Sequence, residues 1–131
     1  MRFPWPLAVI LLAAPVTRAA TPDEMLRDYA AAAHAGAPSP AVGRQFFASR
    51  HGGDWSCSSC HTNDPTATGR HVVTGKAIAP LAPAANPQRF RDTARVEKWF
   101  RRNCNDTLRR ECTAAEKANV LAYLLTLQKG A

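Results

Sequence analysis

Methionine is scarce in this 131-residue chain: Met1 and Met25 are the only two. No thioether therefore exists anywhere after residue 25. Cysteine occurs at only four positions, Cys57, Cys60, Cys104 and Cys112. The first two make a Cys-x-x-Cys pair, but the other two stand eight apart. The second close ligand pair of a structural zinc site is thus missing. A βαβ pattern is absent as well, which removes the usual setting of a redox dithiol. No strand-like alternation, internal repeat or low-complexity segment is present. The most apolar run, residues 7–14 (LAVILLAA), is too short to span a bilayer.

What the chain does contain is the pentapeptide Cys57-Ser58-Ser59-Cys60-His61. Cys-x-x-Cys-His is the attachment pattern of c-type haem. Two thiols at this spacing reach the two vinyl groups on one porphyrin edge and form thioethers. The imidazole that follows at once is held beneath the iron as proximal ligand. The expectation is one covalent haem c on Cys57, Cys60 and His61.

Residues 1–19 read as a secretory signal, with Arg2 as the positive start, an apolar run, and Thr17 and Ala19 as small residues before the cut. Export to the periplasm fits the motif, because haem attachment to reduced thiols takes place beyond the bacterial inner membrane. Residues 20–131 then form a single monohaem domain. Without Arg2 and Arg18, 15 basic side chains remain against 10 acidic ones, a formal +5. A core of this size is modest, and an apolar porphyrin would supply part of its interior.

The expected architecture is all-α. Thr21-Pro22-Asp23-Glu24 is a capping box that opens a helix ending near Gly36, with Met25, Leu26, Tyr29 and Ala33 on one side. Ser39-Pro40 restarts a second helix to about residue 49, with Val42, Phe46 and Phe47 as its apolar stripe. Gly43 either faces outward or permits a close helix contact. Residues 62–75 are polar and turn-rich, and residues 76–87 suit packing against a flat apolar object. A third helix is predicted over 93–102, with Val96, Trp99 and Phe100 on one side, and a loop over 103–112. Thr113-Ala114-Ala115-Glu116 caps a last helix to about residue 128, with Val120, Leu121, Leu124 and Leu127 as the buried stripe.

The missing methionine leaves the sixth ligand position open or filled by another side chain. The candidates are His71, Lys76, Asn103, Asn105, His34 and His51. His71 lies only ten residues past His61, a cramped route around the porphyrin edge. His34 and His51 are expected to face solvent. Cys104 and Cys112 are an even pair in an exported chain, so they are expected to form a disulfide. That bridge would pin the segment beside Asn103.

The string Lys98-Trp99-Phe100-Arg101-Arg102-Asn103-Cys104-Asn105, with Cys112 and the Thr113–Glu116 cap, resembles the sphaeroides haem protein family of class I cytochromes c. Residues 40–128 carry the class I likeness, and residues 21–37 are an added N-terminal helix. In that family the distal ligand immediately precedes the first cysteine of a disulfide. It is asparagine in the haem protein and histidine in the relative called cytochrome c double-prime. The matching residue is Asn103, with Asn105 as its nearby competitor.

The resemblance implies one-electron transfer, with an asparagine that leaves on reduction so that O2, NO or CO binds. It implies a dihaem cytochrome c and a membrane cytochrome b as redox partners. The cluster Arg89, Arg91, Arg95, Lys98, Arg101, Arg102, Arg109 and Arg110 suits propionate contacts or an acidic redox partner. Nucleic acid is a poor fit, since no binding motif is present, and a monomer is the default. Two rival readings are a gas carrier or sensor without electron transfer, and a small O2 or NO reductase. A reductase needs proton delivery, for which Asp106 is the one weak candidate.

Overall fold

The computed structural model describes residues 19–128. The expected signal segment, apart from Ala19, lies outside the described residues. Capping chemistry sets the first helix, α1 (Pro22–Ala33). The Thr21 hydroxyl accepts from the Glu24 N–H at 3.1 Å, and the Glu24 carboxylate accepts from the Thr21 N–H at 2.8 Å. Helix α2 (Pro40–Ala48) is capped by Ser39, whose hydroxyl accepts from the Val42 N–H. Next come the five-residue α3 (Cys57–His61) and two short strands, β1 (Gly69–Arg70) and β2 (Ala77–Ile78). The strands pair antiparallel, Gly69 opposite Ile78 and Arg70 opposite Ala77. Two residues per strand are too few to show an alternating pattern, so the sequence does not announce this ribbon.

Helix α4 (Thr93–Leu108) starts on Asp92, which accepts from the Arg95 N–H at 2.9 Å. It runs well past residue 102, the expected end, and takes in Asn103 and Cys104. The predicted loop over 103–112 therefore shrinks to its last residues. Asn103, Asn105, Asp106 and Thr107 are weak helix formers, but Cys104, Thr107 and Leu108 are buried on one face. Burial along that face outweighs local propensity. Arg109 ends the helix at φ 59°, donating its N–H to the Asn105 carbonyl at 3.1 Å. Helix α5 (Ala114–Thr126) opens on the expected Thr113–Glu116 box.

Both α1 and α2 pack on α5. Leu121 and Leu124 of α5 are fully buried beside Met25, Tyr29, Phe47 and Phe90. Each such leucine contributes about 1.5–3 kcal/mol by leaving water. At the α2–α5 crossing a Cβ on Gly43 would lie 1.8 Å from the Asn119 carbonyl oxygen. This settles the reading of Gly43 as a close helix contact. Val42, expected in the apolar stripe, is half exposed instead, because Gly43 and Phe47 form the buried side of α2. Glu97 ties three helices together. It accepts from the Tyr29 hydroxyl at 2.5 Å and from the Lys117 ammonium at 2.7 Å.

Cys104 and Cys112 form the expected disulfide, with Cα atoms 5.6 Å apart. Together with Leu108 they make a second small cluster, against which Phe46 and Phe100 pack. His51, expected to face solvent, is half-buried: its Nε2 meets the Phe46 carbonyl at 2.8 Å and its ring lies 4.2 Å from that of Phe46. His34 is exposed at the end of α1, as expected.

Candidate functional site

The site is built on α3. Ser56 starts it and Ser59 closes its first turn, accepting from the Ser56 N–H at 3.0 Å. One helical turn puts Cys57 and Cys60 on the same side, with His61 directly after. Thr62 breaks the helix at φ 62°. Its hydroxyl donates to the Asp64 carbonyl at 2.7 Å, which turns the chain away from α3. Gly69 of β1 then lies against α3: a Cβ there would fall 2.1 Å from the Cys60 carbonyl oxygen. Only a glycine allows the ribbon to approach the attachment helix this closely.

The donors suit a covalent haem. Cys57 and Cys60 are both free thiols. Burial pushes the Cys57 thiol up to about 11, with the neighbouring Cys60 adding to it. Burial and the charge of Arg89 push His61 down to about 4. The imidazole is thus neutral at ordinary pH, the state in which it ligates metals. Phe47 packs beside it, ring centroids 6.3 Å apart. Arg89 is held in place by its own bonds, Nε to the Pro80 carbonyl at 2.9 Å and Nη2 to the Ala79 carbonyl at 2.7 Å. Two thiols for two thioethers, followed by one neutral imidazole, fit haem c. Among the described residues no three His, Cys, Asp or Glu side chains gather around a single bare ion.

Asn103 and Asn105 both lie exposed on α4. At 100° per residue they project about 200° apart, so they serve different sides of the helix. Asn103 falls in line with Val96 and Phe100, both packed against the main core. Asn105 falls in line with Lys98 and Arg109 on the outward side. His71 is engaged in its own turn, where Nδ1 accepts from the Val73 and Thr74 N–H groups at 3.2 Å each. Lys76 is exposed at the base of that turn.

Two further residues link the attachment arm to α4, and sequence reasoning missed both. A Cβ on Gly53 would lie 2.7 Å from the Thr107 carbonyl oxygen. The Thr107 hydroxyl donates to the Asn103 carbonyl at 2.8 Å. The turn ahead of Cys57 therefore rests on the stretch of α4 that carries Asn103. The Gly52-Gly53 pair was the available signal for such a close approach.

Comparison with known proteins places the chain. A family model described as "Domain of unknown function (DUF1924)" matches residues 33–124. The cytochrome c-type protein SHP of Cereibacter sphaeroides is 46% identical over 123 residues, 90% of this chain and 93% of that protein. Cytochrome c″ of Methylophilus methylotrophus is 47% identical over 97 residues, 71% of this chain and 67% of that protein. The structure of oxidised SHP, described as an oxygen-binding cytochrome c, superimposes with a TM-score of 0.76 at 47% identity, covering 82% of this chain and 97% of that one. The crystal structure of oxidised cytochrome c″ gives a TM-score of 0.71 at 41% identity, covering 80% and 93%. The fold is that of these class I-like cytochromes, with α1 as the extra N-terminal helix.

Proposed function

Because this chain belongs to the DUF1924 family, with the small c-type cytochromes SHP and cytochrome c″ among its relatives, we propose that it is a periplasmic electron carrier whose reduced form binds a diatomic gas. When bound, the haem supplies a one-electron couple and a site for O2, NO or CO. Cys57 and Cys60 would anchor it, and neutral His61 would ligate its iron.

Asn103 would supply the second protein ligand to the iron. Its carboxamide oxygen is a hard, neutral, weak donor, which suits the oxidised site better than the reduced one. Reduction would therefore weaken the hold of Asn103 on the iron and open its place to a gas molecule. The observation that carries this reading is the position of Asn103: in line with Val96 and Phe100, and next to the Cys104–Cys112 bridge. The bridge limits how far the end of α4 moves when Asn103 swings away. SHP itself is described as oxygen-binding, which supports the gas-binding half. Electrons arrive from a dihaem cytochrome c and a membrane cytochrome b. The mature protein begins at Ala20, so the mass of the exported form checks the signal assignment.

The test is optical. Spectra of the haem-loaded protein are recorded oxidised, reduced, and reduced under CO. A reduced spectrum that turns high-spin and responds rapidly to CO is expected. A reduced spectrum that stays low-spin and ignores CO means a strong second ligand, with His71 first in line, and removes both Asn103 and gas binding from the reading.

A further inference from the structure

Helix α4 divides its charge unevenly. Arg95, Lys98 and Arg102 recur at i, i+3 and i+7, one stripe of an α-helix. Arg91 before the helix and Arg109 at its end extend the line. All five are exposed. The stripe points away from the face that buries Cys104, Thr107 and Leu108.

Most nearby carboxylates are occupied elsewhere. Glu97 takes Tyr29 and Lys117. Glu111 pairs with Arg101 at 3.4 Å. Glu116 takes both ends of the Arg110 guanidinium, at 2.6 and 2.9 Å. Asp92 caps the helix, and Asp106 is the remaining carboxylate on α4. Among the described residues Arg95, Lys98 and Arg102 have no carboxylate partner. On the flank of the stripe Trp99 is 46% exposed, and the Arg102 guanidinium lies over its ring at 5.6 Å. Tryptophan and arginine are the side chains most enriched among interface anchors.

We propose that this outward face of α4, centred on Arg95, Lys98 and Arg102, is the docking surface for an acidic electron-carrying protein. The proposal rests on the haem-protein reading above. Charge complementarity selects an acidic partner and mainly speeds its encounter. Location selects an electron carrier. Asn103, the proposed iron ligand, is on the same helix, so a partner seated on the stripe is within about one helix diameter, roughly 10–12 Å, of that residue. One electron leaves the partner's reduced centre and enters the oxidised haem protein. No bond or proton passes between the two proteins.

The probe is a reduced plant-type ferredoxin, a small acidic iron–sulfur protein, mixed by stopped flow with the oxidised haem-loaded chain. The second-order rate is expected to fall about tenfold or more between low and physiological salt. A comparable fall is expected at low salt in Arg95→Gln/Lys98→Gln/Arg102→Gln. Removing the same charge from α1, α2 and the turn after it, in Arg27→Gln/Arg44→Gln/Arg50→Gln, leaves most of the rate. Lys98→Gln alone, the mildest change, reports a two- to threefold fall should the triple variant fold poorly. Equal rates in the two triple variants, or a rate indifferent to salt, overturn the proposal. So does retention of the ferredoxin rate in the stripe variant when the same variant loses binding to a single-stranded oligonucleotide or to phosphatidylserine vesicles. The spectra and CO response of the stripe variant separate the two readings: unchanged spectra with unchanged rates sink the docking surface and leave the proposed function standing.

Discussion

Residues 103 and 105 carry the same side chain on opposite sides of one helix, so a pair of substitutions decides between them. Asn103→Ala is expected to give a high-spin oxidised spectrum and to raise the affinity of the oxidised protein for added imidazole about tenfold or more, since an internal competitor has gone. Asn105→Ala leaves both readouts unchanged. The reverse pattern transfers the distal role to Asn105. Gly43 offers a second residue-scale prediction. Its missing Cβ is the space occupied by the Asn119 carbonyl, and overpacking of this kind costs about 1–3 kcal/mol. Gly43→Ala should lower the unfolding free energy from urea titration by that order, whereas Gly36→Ala, with open space around its Cβ position, should not. A neutral Gly43→Ala would mean that α2 and α5 separate at little cost.

At the scale of elements, the Cys104–Cys112 bridge closes the end of α4 back toward the start of α5. Replacing both cysteines by serine is expected to remove about 2–3 kcal/mol of stability and to speed amide exchange over residues 105–108. Unchanged exchange there would show that burial of Leu108 alone holds the last turn. The elements differ in how much of them the sequence discloses. Helices α1, α2 and α5 begin where Thr21, Ser39 and Thr113 say, because a cap is a local hydrogen bond between residues three apart. The pentapeptide on α3 is legible for the same reason: its chemistry is contained in five consecutive residues. The end of α4 is not legible. Four weak helix formers from Asn103 to Thr107 suggest a loop, and only the burial of Cys104 and Leu108 against Phe46 and Phe100 reverses it. The contacts of Gly53 with Thr107 and of Gly69 with Cys60 join segments distant or separated by a turn. A glycine in the sequence marks where such an approach is permitted, but no local pattern names the segment it meets. The candidacy of Asn103 rests on the neighbouring cysteine and the family resemblance, not on any helix signal.

At the scale of the whole molecule, Glu97 is the group through which pH acts on three helices together. Burial alone would raise its carboxyl, but hydrogen bonds from Lys117 and Tyr29 outweigh burial and hold it below the usual carboxylate range. Tyr29 is pushed the other way, by burial and by its bond to Glu97, and stays protonated throughout. A carboxyl depressed in the folded state favours folding fully above its unfolded pKa. That contribution fades as pH falls through the folded value, because the unfolded chain then binds the extra proton first. Urea unfolding of the haem-loaded protein should therefore weaken from neutral pH down through and below the ordinary carboxylate range. Glu97→Gln keeps a hydrogen-bonding group but cannot ionise. Its stability at neutral pH should be lower, and its decline with acid shallower than that of the parent. The comparison isolates Glu97 from Glu116, which Arg110 also holds low and which is present in both proteins. Parallel declines in parent and variant would assign the acid sensitivity to Glu116 and the remaining carboxylates, and would leave the Tyr29–Glu97–Lys117 link as a packing contact without a charge-dependent share in stability.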